Sequence, residues 1–196
     1  MIHYRLGNIA DLIAIYPSYA SEFPEAERKS IEQLSLLLER GDYKLLIAED
    51  IQFEQLERLG FAMIYHPKNQ SFIWLDYLVM ERKFQGKGYG SIFFQYIMQC
   101  FNGVKGMYIE VEVPDGSDIN QSRRISYYEK LGAQRLAIQY FLPTPTDMMP
   151  MYLYYYSNEG AKPVFSLIEK HIEMALTYIH YDHPSLARVF DAITSL

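Results

Sequence analysis

Three glycines at alternate positions, Gly86, Gly88 and Gly90, constrain this chain more than any other feature. They follow a β-like apolar run over residues 72–80 and precede a helical apolar pattern that begins at Ile92. Glycine allows close approach of a ligand to the backbone, and the first turn of a helix carries N–H groups without an internal partner. A strand, a glycine turn and a helix in this order therefore predict a site for phosphate or pyrophosphate.

The glycine spacing separates several kinds of phosphate-binding turn. In a Walker A loop, the lysine follows the second glycine and precedes serine or threonine, whereas Lys87 is followed by another glycine. A dinucleotide fingerprint would place its third glycine at position 91, which is Ser91, although Glu110 lies at the distance expected for its acid. The residues fit the pattern Gln/Arg-x-x-Gly-x-Gly/Ala from Gln85 to Gly90. A glycine turn that binds no ligand is the alternative.

A second pattern lies about 40 residues downstream, in the sequence SRRISYYEKLGA at 122–133. It places the pair Tyr127 and Tyr128 on a helix that Gly132 is expected to end, since glycine accepts the left-handed backbone of a helix C-terminus. In this order, with a β-like run between them, the two patterns are more specific together than either is alone.

The two patterns resemble motifs A and B of the GCN5-related N-acetyltransferase (GNAT) superfamily, over roughly residues 1–157. Motif A cradles the pyrophosphate of coenzyme A in that family. Its motif B reads Asn-x-x-Ala-x-x-Phe-Tyr-x-x-x-Gly-Phe, whereas this chain has Gln121 in place of Asn and Arg124 in place of Ala. A long cation at a normally small position indicates a changed contact near the cofactor or the substrate.

The resemblance implies a GNAT-like α/β fold, with a central mixed sheet flanked by helices, and acetyl-CoA as co-substrate. It implies that the pantetheine arm lies along the strand that ends at Met80, and that a backbone N–H near Val79 or Met80 polarises the thioester carbonyl. Lys83 or Lys87 would reinforce the pyrophosphate site unless these lysines are only solvated. The predicted cofactor-binding residues are Leu78, Val79, Met80, Gln85, Gly86, Lys87, Gly88, Tyr89, Gly90, Ser91, Gln121 and Arg124.

Acetyl transfer also needs proton transfer, because an alkylamine arrives protonated and the thiolate leaves without a proton. The resemblance implies that Tyr128 is the acid, with Tyr127 in the core. Glu110 and Glu112 alternate with apolar residues on one strand, so both point to one face and are the candidate bases. That face could instead be solvent-exposed, and Asp76 is the other candidate.

Composition excludes several function classes. The chain of 196 residues has a net charge of −6, which argues against non-specific nucleic-acid binding. No apolar stretch reaches the 18 residues typical of a membrane span, and the N-terminus lacks a signal-peptide pattern. The single cysteine, Cys100, fits a cytoplasmic protein, and we expect it to be a buried, inert thiol.

The apolar periodicities and turn residues predict the order β-α-α-β-β-β-α-β-α-β-β, which matches a GNAT layout. They predict a first helix from the N-cap Asn8 to about Phe23 and a second helix over Glu25–Arg40. A later strand is expected over Gln134–Leu142, followed by a loop with three prolines and a strand over Met151–Tyr156.

Residues 158–196 exceed this layout, so we predict an acetyltransferase domain over 1–157 and a helical extension over 158–196. The extension is expected to pack on its own domain or in a homodimer interface. Its apolar stripe is Val164, Leu167, Ile168, Ile172, Ala175, Leu176 and Ile179. His180, Asp182 and His183 lack a third clear metal ligand, and we predict no metal.

The sequence therefore predicts an N-acetyltransferase that transfers an acetyl group to a primary amine in a ternary complex. We favour a small-molecule amine over a protein as the acceptor, with no nucleic-acid or membrane partner. A non-catalytic acyl-CoA-binding module is the main alternative, and a nucleotide-binding regulatory domain is a third.

Overall fold

The computed structural model describes residues 2–52, 55–116, 119–144 and 147–193. The chain forms two compact units, Met1–Val104 and Lys105–Leu196. Each unit contains four β-strands and helices among its described residues, so the fold is mixed α/β, as expected. No helix within the described residues combines the length and apolar character that a membrane crossing requires.

The first unit is an antiparallel sheet in the order β1-β2-β3-β4, accompanied by three α-helices. Its core consists of side chains that are less than 2% exposed, among them Phe61, Ile73 and Trp74. The elements are β1 (Ile2–Leu6), α1 (Ile9–Glu22), a 3-10 turn (Glu25–Glu27), α2 (Ile31–Arg40), β2 (Tyr43–Gln52), β3 (Gln55–Tyr65), β4 (Phe72–Met80), a second 3-10 turn (Arg82–Phe84) and α3 (Tyr89–Gln99).

Helix α1 begins where the sequence predicts. The Asn8 side chain accepts a hydrogen bond from the Asp11 N–H (3.1 Å), and the Asp11 carboxylate accepts one from the Asn8 N–H (2.9 Å). This reciprocal cap satisfies two backbone donors that the helix itself leaves unpaired. The sequence also predicts a strand over Ile2–Leu6, and the bounds of β1 and β4 confirm both predictions.

The predicted start of the second helix at Glu25 is wrong, because α2 begins at Ile31. Ser30 and Gln33 form a capping box, with the Ser30 side chain accepting from the Gln33 N–H (3.2 Å). A strong cap at Ser30 stabilises a helix start there, so residues 25–27 form a separate 3-10 turn. Gly41, in the left-handed conformation, ends the helix as expected.

The sequence predicts strands over Tyr43–Ala48 and Gly60–Tyr65, and β2 and β3 are longer than this. Their pairing continues beyond Ala48 and Gly60 to the pair Gln52 and Gln55. The added residues include charged side chains, which interrupt the apolar pattern from which a strand is predicted. Pairing along the hairpin nevertheless satisfies the hydrogen-bonding groups of their backbone.

The second unit is built on β8, which pairs antiparallel with β5, β6 and β7. Its elements are β5 (Gly106–Glu112), α4 (Ile119–Lys130), β6 (Gln134–Arg135), β7 (Tyr140–Pro143), β8 (Met148–Tyr156), α5 (Phe165–Ile179) and α6 (Leu186–Ile193). The sequence predicts an exposed loop over residues 114–118, of which Ser117 and Asp118 lie outside the described residues.

The single strand predicted over Gln134–Leu142 is wrong, because the chain leaves the sheet between β6 and β7. Arg135 pairs with Tyr154, and Tyr140 pairs with Met151. The chain therefore advances five residues from Arg135 to Tyr140, while β8 advances only three, from Tyr154 to Met151. The excess residues between β6 and β7 must loop out of the sheet. β8 begins at Met148, so Pro143 and Pro150 lie in strands rather than in a loop, and Pro145 lies outside the described residues.

The predicted extension contains the two expected helices, α5 and α6. Ile168, Ile172, Ala175, Leu176 and Ile179 of the predicted stripe are buried on α5. Val164 and Leu167 are instead 61% and 40% exposed. The buried face also contains His171, whose Nδ1 lies 2.9 Å from the hydroxyl of Tyr108 on β5. Helix α5 therefore covers the Tyr108 side of β5 within the second unit.

Candidate active site

The turn between β4 and α3 depends on the backbone freedom of glycine at two positions. Gly86 and Gly88 have φ angles of 73° and 85°, in the left-handed region that other residues rarely adopt. A Cβ atom at either position would meet no atom of the described residues within 4 Å. The described residues therefore leave space for a side chain at both positions. It is the left-handed backbone conformation that favours glycine there.

The turn leaves the first backbone donors of α3 available. Gly88 is the N-cap residue and supplies no side-chain cap, while its carbonyl accepts a hydrogen bond from the Ser91 N–H (3.1 Å). The N–H groups of Tyr89 and Gly90 belong to the first turn, where an α-helix has no internal acceptors. An anion at this end would receive these donors and the positive end of the helix dipole.

Gln85 joins the turn to the end of β4. Its Nε2 donates a hydrogen bond to the Met80 carbonyl oxygen at 2.9 Å. This bond spans the 3-10 turn Arg82–Phe84 and holds the glycine segment against the strand that precedes it. This hydrogen bond explains what the glutamine of the sequence pattern does in this chain.

The three cations near the turn differ in their partners. Arg82 forms an ion pair with Glu22 at 3.1 Å, and Lys83 forms one with Glu57. The Lys87 ammonium lies 5.7 Å from the centroid of the Phe84 ring, and within the described residues it forms no ion pair. Lys87 is therefore better placed than Lys83 to meet an anion at the turn.

The end of β4 borders a cavity of about 440 Å³ within the first unit. Val79 and Met80 line one side, and Ser18, Ser21 and Glu22 of α1 line another. On β3, Gly60 lets the sheet close at this point, since a Cβ there would come within 2.3 Å of the Val79 carbonyl oxygen. Of the predicted residues at the end of β4, Val79 and Met80 thus line a space open to a ligand, whereas Leu78 is not among the lining residues.

Asp76 occupies a bulge in β4 and lies in a buried polar cluster. Tyr77 pairs with Met63 on β3 and Leu75 pairs with Ile64, so Asp76 is the extra residue. Its carboxylate pairs with the Lys29 ammonium at 3.0 Å and accepts a hydrogen bond from the Tyr43 hydroxyl. Lys29 lies just before α2, so this ion pair attaches the connection between α1 and α2 to β4.

The predicted residues of the second motif lie on one face of α4. Gln121, Arg124 and Tyr128 are spaced by three and four positions, which places them above one another on the helix. The Gln121 Oε1 accepts a hydrogen bond from the Asp115 N–H at 3.2 Å and so binds the connection that follows β5.

Both candidate bases on β5 have polar partners. Glu112 forms an ion pair with Arg124, with the Nη2 and Nε atoms 2.5 and 2.6 Å from one carboxylate oxygen. Glu110 accepts a hydrogen bond from the Tyr140 hydroxyl. Both carboxylates lie on one face, and both residues are half-buried whereas Ile109 and Val111 are buried. The unusual Arg124 therefore contacts one of the candidate acids directly.

Tyr128 is half-buried and contacts the ring of Tyr127 edge-on, with 5.1 Å between their centroids. Burial raises the pKa of Tyr128, with a further contribution from Tyr127. The hydroxyl therefore stays protonated at neutral pH, which is the state that a proton donor needs. Tyr127 is also half-buried rather than fully within the core.

Two site features were not found from the sequence. Tyr140 and Lys29 lie 30 and 47 residues from the acids that they contact, and no local pattern identifies either one.

Cys100 lies just after α3 and is half-buried, and burial raises the pKa of its thiol. Within the described residues, no group of three His, Cys, Asp or Glu side chains is arranged to hold a metal ion.

Comparison with known proteins gives a family match. The model of the acetyltransferase (GNAT) family matches residues 12–133. A sequence search of curated proteins found no match.

Several solved structures have a similar fold. A putative GNAT-family acetyltransferase from Bacteroides thetaiotaomicron has a TM-score of 0.72 at 20% identity, with 91% of this chain and 98% of that chain covered. Arabidopsis thaliana NAA60 in complex with acetyl-CoA has a TM-score of 0.62 at 15% identity, covering 81% and 99%. The ribosomal-protein-S18-alanine N-acetyltransferase from Escherichia coli has a TM-score of 0.61 at 16% identity, covering 85% and 99%.

Proposed function

The chain belongs to the acetyltransferase (GNAT) family, and we propose that it transfers an acetyl group from acetyl-CoA to a primary amine in a ternary complex. The observation that carries this proposal is the turn before α3, where Gly86 and Gly88 expose helix-start donors without side-chain cover. The complex of Arabidopsis thaliana NAA60 with acetyl-CoA supports the choice of co-substrate.

Anchorage of the co-substrate is assigned to residues 85–91. The N–H groups at the start of α3 would bind the pyrophosphate, and Lys87 would add a charge-assisted contact. Gln85 would act indirectly, since it holds the turn against Met80. The backbone of Leu78–Met80 would align the pantetheine arm, and an N–H near Val79 or Met80 would stabilise negative charge on the thioester oxygen.

Proton transfer is assigned to the second unit. The thioester supplies an acyl carbon that the amine nitrogen attacks, so that a C–N bond forms and the C–S bond breaks. We assign Glu110, directly or through water, to accept the proton of the amine, and the neutral Tyr140 hydroxyl that donates to this carboxylate supports the assignment. Glu112 is balanced by Arg124, which favours a positioning role for both residues. Tyr128 would donate a proton to the leaving thiolate.

The acceptor is proposed to be a small primary amine. Structural neighbours include a spermidine N-acetyltransferase from Vibrio cholerae as well as the S18-alanine enzyme, so the neighbours comprise both small-molecule and protein acetylation. The cavity of about 440 Å³ beside Val79 and Met80 supports a small acceptor by its size. We further propose a cytoplasmic location, a catalytic domain over 1–157, and a helical extension over 158–196 that packs on this domain or in a homodimer interface.

A non-catalytic acyl-CoA-binding module is the second candidate. The engagement of Glu112 by Arg124 favours it, because that carboxylate is then unavailable as a free base. The two candidates differ in turnover. The deciding experiment measures thiol release from acetyl-CoA with a panel of primary amines, after calorimetry has established that acetyl-CoA binds.

Amine-dependent thiol release supports the enzyme. Tight acetyl-CoA binding without release on any amine supports the binding module. Binding of ATP or NAD in place of acetyl-CoA overturns both and supports a nucleotide-binding domain.

A further inference from the structure

One hydrogen bond in the second unit joins two strands that are not neighbours in the sheet. Glu110 lies on β5 opposite Leu153 of β8. Tyr140 lies on β7 opposite Met151 of β8. Because Met151 also pairs with β5, the strands β5 and β7 lie on the two sides of β8, about 10 Å apart at the usual strand spacing. The Tyr140 hydroxyl nevertheless donates a hydrogen bond to the Glu110 carboxylate, so both side chains must extend across β8 to meet.

The register places this hydrogen bond on one face of the sheet. Directly opposite residues of antiparallel strands point to the same side, so Tyr140, Met151 and Glu112 form one row. Glu110 and Leu153 form the next row on that side, since side chains alternate along a strand. Met151 and Leu153 are buried, so the surface between the two polar groups is apolar. A carboxylate beside such a surface needs a donor in place of water, and the phenol supplies it.

The fold holds this donor in place. Tyr140 is 1% exposed and its backbone belongs to the ladder between β7 and β8, so its ring has little freedom. The partner of Glu112 is instead Arg124, which is partly exposed and carries a positive charge. The two acids of this face therefore differ, because Arg124 offsets the charge of Glu112 whereas the phenol orients Glu110 without offsetting its charge.

General-base catalysis depends on where the carboxylate lies. The accepting oxygen must come within hydrogen-bond reach of the proton, and a misplacement of about 1 Å can lower a rate roughly 100-fold. A glutamate has several rotatable bonds and must otherwise lose that freedom when the amine arrives. A hydrogen bond from a rigid donor orients the carboxylate in advance.

We propose that Tyr140 is a positioning residue for the acetyl transfer, which directs the Glu110 carboxylate to the amine through this hydrogen bond. The inference rests on the proposed function, in which Glu110 accepts the proton of the amine. That proton moves from the amine nitrogen to a carboxylate oxygen of Glu110, and the phenol keeps its own proton throughout. Tyr140 acts through Glu110 and forms no bond with the reacting atoms.

The experiment measures kcat and kcat/KM of the full chain as a function of pH, with thiol release from acetyl-CoA as the readout. Tyr140→Phe removes the hydroxyl and keeps the ring. A hydrogen bond to a carboxylate favours its charged form, so its loss should move the acidic limb of the kcat/KM profile to higher pH by about one unit. The plateau of kcat should fall about tenfold, while the KM for acetyl-CoA changes less than about twofold.

A second variant moves the profile the other way. Tyr140→fluorotyrosine keeps the ring and the hydroxyl and makes the phenol a stronger donor. It should therefore move the acidic limb to lower pH. A general loss of packing does not produce opposite shifts in the two variants. This variant also decides the question if circular dichroism shows that Tyr140→Phe does not fold.

The other titratable groups around this face are unchanged in both Tyr140 variants. Those among the described residues are Glu112 and Tyr108 of β5, Tyr155 of β8, Arg124 of α4 and His171 of α5. A difference between the variants and the parent therefore reports the group at position 140.

Tyr154→Phe is the matched control. Tyr154 is buried, and its hydroxyl also donates to a glutamate, Glu129, at 3.1 Å. It pairs with Ile109 and so points to the other face of the sheet. This variant should lose stability comparable to that lost by Tyr140→Phe while it keeps the pH profile and the kcat of the parent.

Several results would overturn the proposal. These are parent-like pH profiles in both Tyr140 variants, shifts of the same direction in both, and an equal shift in Tyr154→Phe. If the parent acetylates an amine and Glu110→Gln lowers kcat about 100-fold while the Tyr140 variants behave like the parent, the proposed function stands and Tyr140 has no part in it. If the parent releases no thiol with any amine, the proposed function fails and this inference fails with it.

Discussion

Arg124 of α4 binds Glu112 of β5, with its Nη2 atom 2.5 Å from the carboxylate oxygen. This pair connects a residue that departs from the family pattern with a candidate base, and it joins the helix that carries Tyr128 to the adjacent strand. Both side chains are partly exposed, at 42% and 20%, so solvent screens the interaction.

The first prediction is a modest coupling energy between these two residues. A double-mutant cycle with Arg124→Met and Glu112→Gln should give about 0.5–1 kcal/mol, the range for a screened ion pair. Urea unfolding of the four proteins measures it. A coupling near zero would mean that the pair does not stabilise the second unit, and its role would then be limited to the site.

Tyr128→Phe should lower kcat about 100-fold while the KM for acetyl-CoA changes little, because only the proton donated to the thiolate is lost. Tyr127→Phe is the matched control, since it removes a neighbouring hydroxyl on the same helix. Steady-state thiol release measures both. Unchanged kcat in the Tyr128 variant would assign the acid to another group.

Gly88→Glu should abolish acetyl-CoA binding, because the side chain adds bulk and negative charge where the pyrophosphate is expected. Gly103→Glu is the control, since Gly103 also has a positive φ (78°) and no atom of the part of the chain that the structure describes lies within 4 Å of its Cβ position. Both variants should lose similar stability through backbone strain. Calorimetry showing equal affinity in the two variants would reject the turn as the cofactor site.

Lys29→Met should destabilise the first unit by about 3–5 kcal/mol, because it leaves the Asp76 carboxylate buried without its cation. The two side chains are 8% and 3% exposed. Adding Asp76→Asn should recover part of this loss, since the unpaired charge is then removed. Arg82→Gln, which breaks the exposed pair with Glu22, is the control and should change stability little. Denaturant unfolding of all four proteins is the measurement.

The stability of the protein should fall as the pH decreases below about 7. Burial lowers the pKa of His171 in the folded state, with a further contribution from Lys170, and burial also lowers the pKa of His66. The unfolded chain therefore binds more protons than the folded chain as the pH falls through the unfolded value near 6.5, and folding loses free energy there.

His171→Gln keeps a group able to bond the Tyr108 hydroxyl but does not titrate. It should show a shallower loss of stability between pH 7 and 5 than the parent, roughly the window set by the unfolded pKa. Thermal unfolding across this range measures the slope, and His3→Gln, at an exposed position, is the control. An unchanged slope would show that His171 does not contribute.

Local sequence signals determined the elements that depend on neighbouring residues. The cap at Asn8, the left-handed Gly41, and the glycine turn before α3 each follow from interactions within a few positions, so a single sequence contains their cause. The apolar spacing of the extension likewise predicted α5 and its buried face. The same local patterns carried the family resemblance.

Tertiary structure decided what depends on distant partners. The break between β6 and β7 follows from the register with β8, and the bulge at Asp76 follows from pairing with β3. Glu110 and Tyr140 meet only because the sheet brings them together, as do Lys29 and Asp76. Hydrogen bonds and ion pairs act over a few ångströms in space, and separation along the chain does not encode which residues will come that close.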